Sequence, residues 1–238
     1  MQAALHVLYP PQCISCAAPV TSDFGLCSNC WRETPFIAGL VCDQCGVPLP
    51  GTDTAERVSC DDCITIARPW GRGRSALLYR DNGRSLVLAL KHGDRMDLAR
   101  PAGGWMLKVA GPILQPGMLV VPVPLHWFRL VRRKYNQAAL LSKVVAQAAG
   151  LDHCPDALVR NRTTGTQEGR TRDARFANLV GAFSVPKRRA ALVEGRDTLL
   201  VDDVMTSGAT FAVATEALFS AGARSVSVLS LARVAKDA

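Results

Sequence analysis

Residues 198–210 read Thr-Leu-Leu-Val-Asp-Asp-Val-Met-Thr-Ser-Gly-Ala-Thr, an apolar run that meets two acids and then a small, hydroxyl-rich turn. A run such as Thr198 to Val201 forms a buried strand. At the carboxyl end of a parallel strand a ligand can sit in the crevice of the sheet. Asp202 and Asp203 would project there as acceptors for sugar hydroxyls or hydrated magnesium. Thr206, Ser207, Gly208, Ala209 and Thr210 then open a helix, where hydroxyls, free backbone N–H groups and the helix dipole favour a phosphate. The same residues also suit a plain helix cap, which βα units use often.

A second chemistry is written in the cysteines. Eight of the nine precede residue 64 and form four C-x-x-C pairs: Cys13 with Cys16, Cys27 with Cys30, Cys42 with Cys45, and Cys60 with Cys63. Two thiolates spaced in this way face one metal from a tight knuckle, and two knuckles complete a closed tetrahedral zinc site. Two structural zinc ions are expected. Sequential pairing, Cys13-Cys16-Cys27-Cys30 and Cys42-Cys45-Cys60-Cys63, has the shorter loops, although an interleaved arrangement uses the same residues. A disulfide scaffold would call for an export signal, and Met1 to Pro11 does not read as one. A redox pair needs one C-x-x-C and not four. Cys154, beside His153, reads as a small apolar residue or a free thiol.

The elements that must hold these groups divide the chain in two. Residues 1–69 carry few large apolar side chains, so metal binding would supply much of their folding free energy. Residues 70–238 alternate between strand and helix patterns. Strands are predicted at Ser75 to Tyr79, Met118 to Val123, Thr198 to Val201 and Ser225 to Leu231. Helices are predicted at Asn82 to His92, Gln137 to Ala149 and Ala209 to Ala221, the last two ending at Gly150 and Gly222. Such alternation implies an α/β fold with a parallel sheet flanked by helices. Long arginine-rich connections are expected at Pro124 to Asn136 and Asn161 to Asn178, and loops of that length usually carry function. Lys91 and His92, at a helix end, could help to bind phosphate, but ordinary dipole partners is the preferred reading.

With 48% hydrophobic and 20% charged residues, the composition is that of a globular chain and not of a disordered one. No stretch approaches the roughly 20 apolar residues of a membrane span, so a cytoplasmic protein without membrane insertion is expected. The net charge of +8 favours anionic partners.

The run from Thr198 to Thr210 resembles the phosphoribosyl pyrophosphate (PRPP) signature of type I phosphoribosyltransferases. The resemblance extends along the chain. The four C-x-x-C pairs, Val121 to Pro124, Arg132 to Gln137, Arg160 to Thr163 with Gln167, and Arg175 to Phe183 occur in the order seen in the ComF family, which includes the ComFC competence proteins. That resemblance implies a double zinc-ribbon domain fused to a type I phosphoribosyltransferase-like domain. It implies that Asp202 and Asp203 hold the ribose as the catalytic pair, that Thr206 to Thr210 cradles the 5'-phosphate, and that Pro122 and Val123 lie on the pyrophosphate loop. Arg132, Arg133, Lys134, Asn136 and Gln137 would border the site, and Thr163 and Gln167 would sit on a mobile loop over it. An exposed basic turn, with Asn136 capping the next helix, remains the plainer reading of the first group.

Three functions follow from the resemblance. The first is magnesium-dependent phosphoribosyl transfer from PRPP to an acceptor, as in nucleotide metabolism. The second is regulation by PRPP binding alone. The third is handling of single-stranded DNA, with DNA-uptake proteins as partners, during natural competence. The sequence names neither the acceptor nor the oligomeric state.

Overall fold

The computed structural model describes residues 10–52, 56–162 and 181–235, except the side chains of Arg129 and Arg132. The cysteine-rich part contributes two short helices, α1 (Ser28–Glu33) and α2 (Asp61–Thr65). Then come β1 (Arg72–Leu78), α3 (Asp81–His92), α4 (Ala99–Ala110), β2 (Leu119–Pro122), α5 (Trp127–Arg133) and α6 (Gln137–Ala149). The chain continues through β3 (Asp152–His153), β4 (Val159–Arg160), β5 (Phe183–Ser184), α7 (Lys187–Val193), β6 (Asp197–Met205), α8 (Ala209–Ser220) and β7 (Ser225–Arg233).

Five strands form one parallel sheet in the order β1-β7-β6-β2-β3. The apolar run of β6 puts it at the centre, because a parallel strand covered on both faces must be apolar throughout. Successive side chains point to opposite faces. Leu200 packs with Phe211, Val213 and Leu218 of α8, whereas Leu199 and Val201 pack with Leu86 and Leu90 of α3, Met106 of α4 and Leu141 of α6. The parallel α/β sheet flanked by helices that the sequence pattern implies is therefore present.

The cysteine-rich part covers the β1 edge of this sheet. Ile37 N–H donates to Ala76 O (2.9 Å) and Leu78 N–H to Pro35 O (2.9 Å), so the segment before the second ribbon occupies an edge that would otherwise be open. Gly73 lies so close to the ribbon that a Cβ there would stand 2.4 Å from Gln44 O. Trp70, 1% exposed, donates its indole N–H to that same carbonyl (2.6 Å).

Several elements go beyond the sequence expectations. The connection Pro124 to Asn136 contains a helix, α5, started by His126, whose Nδ1 accepts the Phe128 N–H at 3.3 Å. The basic run Lys187 to Arg189 lies in α7. Helix α4 is hidden in the sequence by Pro101, Gly103 and Gly104. The reason for Gly103 is contact: a Cβ there would stand 2.5 Å from Val144 Cγ1 of α6, so the glycine sets how closely these helices approach. The strands at Leu119, Thr198 and Ser225 and the helices at Gln137 and Ala209 fall within one or two residues of their predicted starts.

Candidate functional site

The paired acids lie among the last four residues of the central strand β6, which runs on past the predicted end at Val201 to Met205. Asp203 is 8% exposed, and its backbone N–H donates to Asp202 Oδ1 (2.8 Å). Two adjacent carboxylates in a sheet crevice repel one another and lose water. Burial and the neighbouring charge of Asp203 push the Asp202 carboxyl up to about 8, against the pull of Lys91 and Arg160. Lys91, from the end of α3, sits with Nζ 3.0 Å from Asp203 Oδ1. Burial acts to lower its pKa, but the charge and hydrogen bond of Asp203, with Asp202 behind it, raise it.

Beyond the acids the chain turns at Thr206, Ser207 and Gly208 into α8. Gly208 has φ +83°, the left-handed region that glycine adopts without strain, and Trp70 and Arg68 leave no room there for a side chain. Ser207 Oγ accepts the Ala209 N–H at 3.4 Å. Thr206 is exposed, Ser207 and Thr210 are half-buried, and Gly208 and Ala209 are buried.

The end of β2 lies alongside. Val123 N–H donates to Val201 O (2.8 Å), which ties the turn after Pro122 to the strand that carries the acids. Asn136 accepts the Ala138 N–H (3.1 Å) as the cap of α6 and donates Nδ2–H to Val123 O (3.0 Å), so the residue expected at the site is a cap and a tether together. Gln137 is fully buried and donates to Lys91 O (3.4 Å), while Tyr135 donates to Leu90 O (2.7 Å). Arg133 Nη1 reaches Gln137 Oε1 at 3.5 Å, and Lys134 is exposed with φ +65°. Residues 133–137 thus lock the end of α3 against the end of β2. Thr163 and Gln167 lie outside the described residues, as does the side chain of Arg132.

Sequence reasoning missed two members of this cluster. Lys91 looked like a dipole partner at a helix end, and its actual carboxylate partner is 112 positions away in the chain. Arg160, on β4, acts electrostatically on Asp202 and stacks on Phe183, its guanidinium 5.5 Å from the ring centre. Only the resemblance in Arg160 to Thr163 pointed there.

The cysteines gather in sequential pairing. In each of the groups Cys13-Cys16-Cys27-Cys30 and Cys42-Cys45-Cys60-Cys63, the four sulfurs lie within 4.8 Å of one another. A tetrahedron with Zn–S bonds of about 2.3 Å needs sulfur pairs about 3.8 Å apart. Cys16 to Cys27 is 3.6 Å and Cys45 to Cys60 is 3.7 Å, so both donor sets fit zinc. Against the effect of burial, backbone N–H groups of Cys16, Cys27 and Ser15 lower the Cys13 thiol to about 6, which favours the thiolate that a metal takes. Among the described residues, no helix is long and apolar enough to cross a membrane.

The profile of the double zinc ribbon domain matches residues 4–64. The DNA utilization protein YhgH of Escherichia coli is 32% identical to this chain over 232 residues, spanning 94% of this chain and 97% of that protein. The chain belongs to the ComF family. Another ComF relative, Competence protein F of Haemophilus influenzae, is 27% identical over 93% of this chain and 96% of its own. Among solved structures, this ComF chain is similar to the glutamine PRPP amidotransferase of B. subtilis, at 22% identity and a TM-score of 0.40 over 60% of this chain and 30% of that one. It is also similar to a hypoxanthine phosphoribosyltransferase of Staphylococcus aureus, at 16% identity and a TM-score of 0.34 over 58% of this chain and 62% of that one.

Proposed function

We propose that the chain binds PRPP at the carboxyl ends of β2 and β6 and transfers its phosphoribosyl group, with magnesium, to an acceptor. One observation carries this reading. Half-buried Asp202 and buried Asp203 lie near the carboxyl end of the central strand, which runs on to Met205, and a left-handed glycine turn at Thr206–Gly208 then opens a helix, so acceptors for a sugar lie beside donors for a phosphate. In this reading Asp202 and Asp203 face the ribose, the turn from Thr206 to Thr210 takes the 5'-phosphate, and Pro122 and Val123 border the pyrophosphate. Asp202 and Asp203 are the residues that would help to hold magnesium, which when bound would neutralise the leaving group.

The bond from the anomeric carbon to pyrophosphate breaks as the acceptor bond forms, through a transition state with oxocarbenium character. Carboxylates near the ring stabilise its positive charge, and Arg133 and Lys134 supply cations near it. The test is calorimetric titration of PRPP with magnesium, repeated with Asp202→Asn plus Asp203→Asn, while pyrophosphate release is followed against candidate acceptors. Binding should weaken at least about tenfold, or about 1.4 kcal/mol. Unchanged affinity removes the site. Binding without turnover across the acceptor panel assigns the site to regulation.

A second reading rests on α5. Trp127, Phe128 and Val131 are exposed on it, with Trp127 and Phe128 edge to face at 5.9 Å, in a stretch whose sequence also carries Arg129, Arg132, Arg133 and Lys134. Aromatic faces among cations suit single-stranded nucleic acid. The names of the relatives, DNA utilization protein and Competence protein F, agree with a role in DNA uptake. Affinity for an oligothymidine strand should fall steeply with salt, and Trp127→Ala should weaken it by about 1–3 kcal/mol. A variant that binds as the wild type does sinks this reading.

A further inference from the structure

Arg233 ends β7 and is only 4% exposed. A buried guanidinium without a counter-charge costs several kcal/mol, roughly, so its partner must be found. Its hydrogen bonds among the described residues go to backbone carbonyls and a thiol and not to a carboxylate. Its Nη2 instead points at Cys45 Sγ, 3.9 Å away in the second four-cysteine centre. Four thiolates around one zinc ion would carry a net charge of about −2 and so would supply a counter-charge to the guanidinium.

The other arm of the same guanidinium reaches the turn described above. Nη1 donates to the carbonyls of Met205 (3.3 Å) and Thr206, and also to that of Val234. Arg68 repeats the arrangement from the ribbon side. Its Nη1 donates to Ser207 O (2.8 Å), its guanidinium acts to lower the Cys63 thiol of the same centre, and it stacks on Trp70 at 5.4 Å. Three successive carbonyls, those of Met205, Thr206 and Ser207, are therefore held by two arginines beside the second four-cysteine centre, Arg233 reaching Cys45 Sγ directly.

Orientation follows from peptide geometry. Across a trans peptide the carbonyl and the next N–H point in opposite directions, and the described chain has no cis bonds. Pulling the Thr206 and Ser207 carbonyls toward the ribbon turns the N–H groups of Ser207 and Gly208 away from it. Gly208 completes the fit, since a Cβ there would stand 2.9 Å from Trp70 Cη2 and 3.0 Å from Arg68 Nη1.

We propose that Arg68 and Arg233 are positioning residues through which the second cysteine centre fixes the donor geometry of the turn at Thr206–Gly208, so that anion affinity there depends on that centre's metal. The proposal rests on the phosphate-loop reading and extends it to a metal-dependent binding site. The first centre, Cys13-Cys16-Cys27-Cys30, makes no such contact among the described residues: its neighbours are Asn82 and Thr34, reached through Cys30 O.

The test uses the full chain loaded with zinc and two readouts. Amide hydrogen exchange at Ser207, Gly208 and Ala209 reports the turn without any ligand, and calorimetry with PRPP and magnesium reports binding. Arg68→Gln and Cys60→Ser should each speed exchange at these amides about tenfold or more and weaken PRPP by a similar factor, leaving Leu119 to Val121 protected. Arg233→Lys keeps the charge but not the fork, so it should fold and give an intermediate effect. Arg32→Gln, on exposed α1, controls for arginine removal and should change neither readout.

Wild-type exchange and affinity in Arg68→Gln overturn the proposal. So does an equal effect from Cys16→Ser in the first centre, or a loss of protection that spreads through the whole sheet. If the exchange effects appear but the wild type does not bind PRPP, the coupling stands and the ligand assignment falls.

Discussion

Replacing Lys91 by methionine isolates the ion pair on which the electrostatics of the acid pair rest. The ammonium lies 3.0 Å from Asp203 Oδ1, and the two side chains are 19% and 12% exposed. At that distance an effective dielectric constant of about 20 gives a gross attraction of about 5–6 kcal/mol, which desolvation of both groups largely offsets. Methionine keeps most of the aliphatic stem, so packing changes little and the loss reports charge. What remains is a buried carboxylate facing Asp202 without its cation. Removing one partner of a fully buried pair costs about 3–5 kcal/mol, and the residual water access here reduces the expected loss to about 2–3 kcal/mol.

Urea unfolding at pH 8, with the slope unchanged, measures that loss. The sign of the pH dependence is fixed by Lys91, whose pKa is raised in the folded state by Asp203 despite burial. Its contribution is fully present below the ordinary lysine value of about 10.4 and is lost as pH rises through the folded value. The gap between wild type and Lys91→Met should therefore be present at pH 7, widen above about pH 8, where Asp202 ionises with the help of Lys91, and close in strong base. A gap under about 0.5 kcal/mol at pH 8, the size of an ordinary surface substitution, refutes the reasoning.

Two further outcomes follow from the same geometry. Asp202, raised to about 8 by burial and by Asp203, holds a proton in the free site at neutral pH. Magnesium-PRPP, which would favour the carboxylate, should bind more tightly as pH rises toward 8, by up to about tenfold per unit, with proton release seen as a buffer-dependent heat. An affinity flat from pH 6 to 8 would mean that Asp202 takes no part. Metal analysis should find about two zinc ions per chain, and chelation should unfold the ribbons, whose cores hold few large side chains; one ion or none refutes paired centres.

What the sequence made legible was local. The C-x-x-C spacing carries its metal geometry within four residues, and the passage from Val201 through the acids to Thr210 carries strand, turn and helix start in one segment. Asn136 and Gly150 marked the ends of α6 because caps are properties of single residues. What stayed hidden needed two distant segments at once. The role of Lys91 depends on α3 ending beside β6, and Arg233 lies two residues past the predicted strand Ser225 to Leu231, unmarked until Cys45 is placed against it. Gly103 resembles a helix breaker until Val144 fills the space where its side chain would be.

The charges around the acids decide what kind of ligand the site can reward. Lys91 already cancels Asp203, and the proton on Asp202 cancels the second acid, so the free crevice is close to neutral while the neighbouring turn offers donors to an anion. A ligand that brings only negative charge gains from the turn and nothing from the acids. A sugar phosphate accompanied by a divalent cation gains from both, because it replaces the proton on Asp202 with metal charge and sugar hydroxyls while its phosphate takes the N–H groups. The two readings therefore separate at one residue. Asp202→Asn should abolish the magnesium dependence of PRPP binding, whereas a strand of DNA held on α5 should be indifferent to both the substitution and the metal beyond ionic strength. Magnesium-dependent DNA binding that is lost in Asp202→Asn would show that the acids serve the nucleic acid instead.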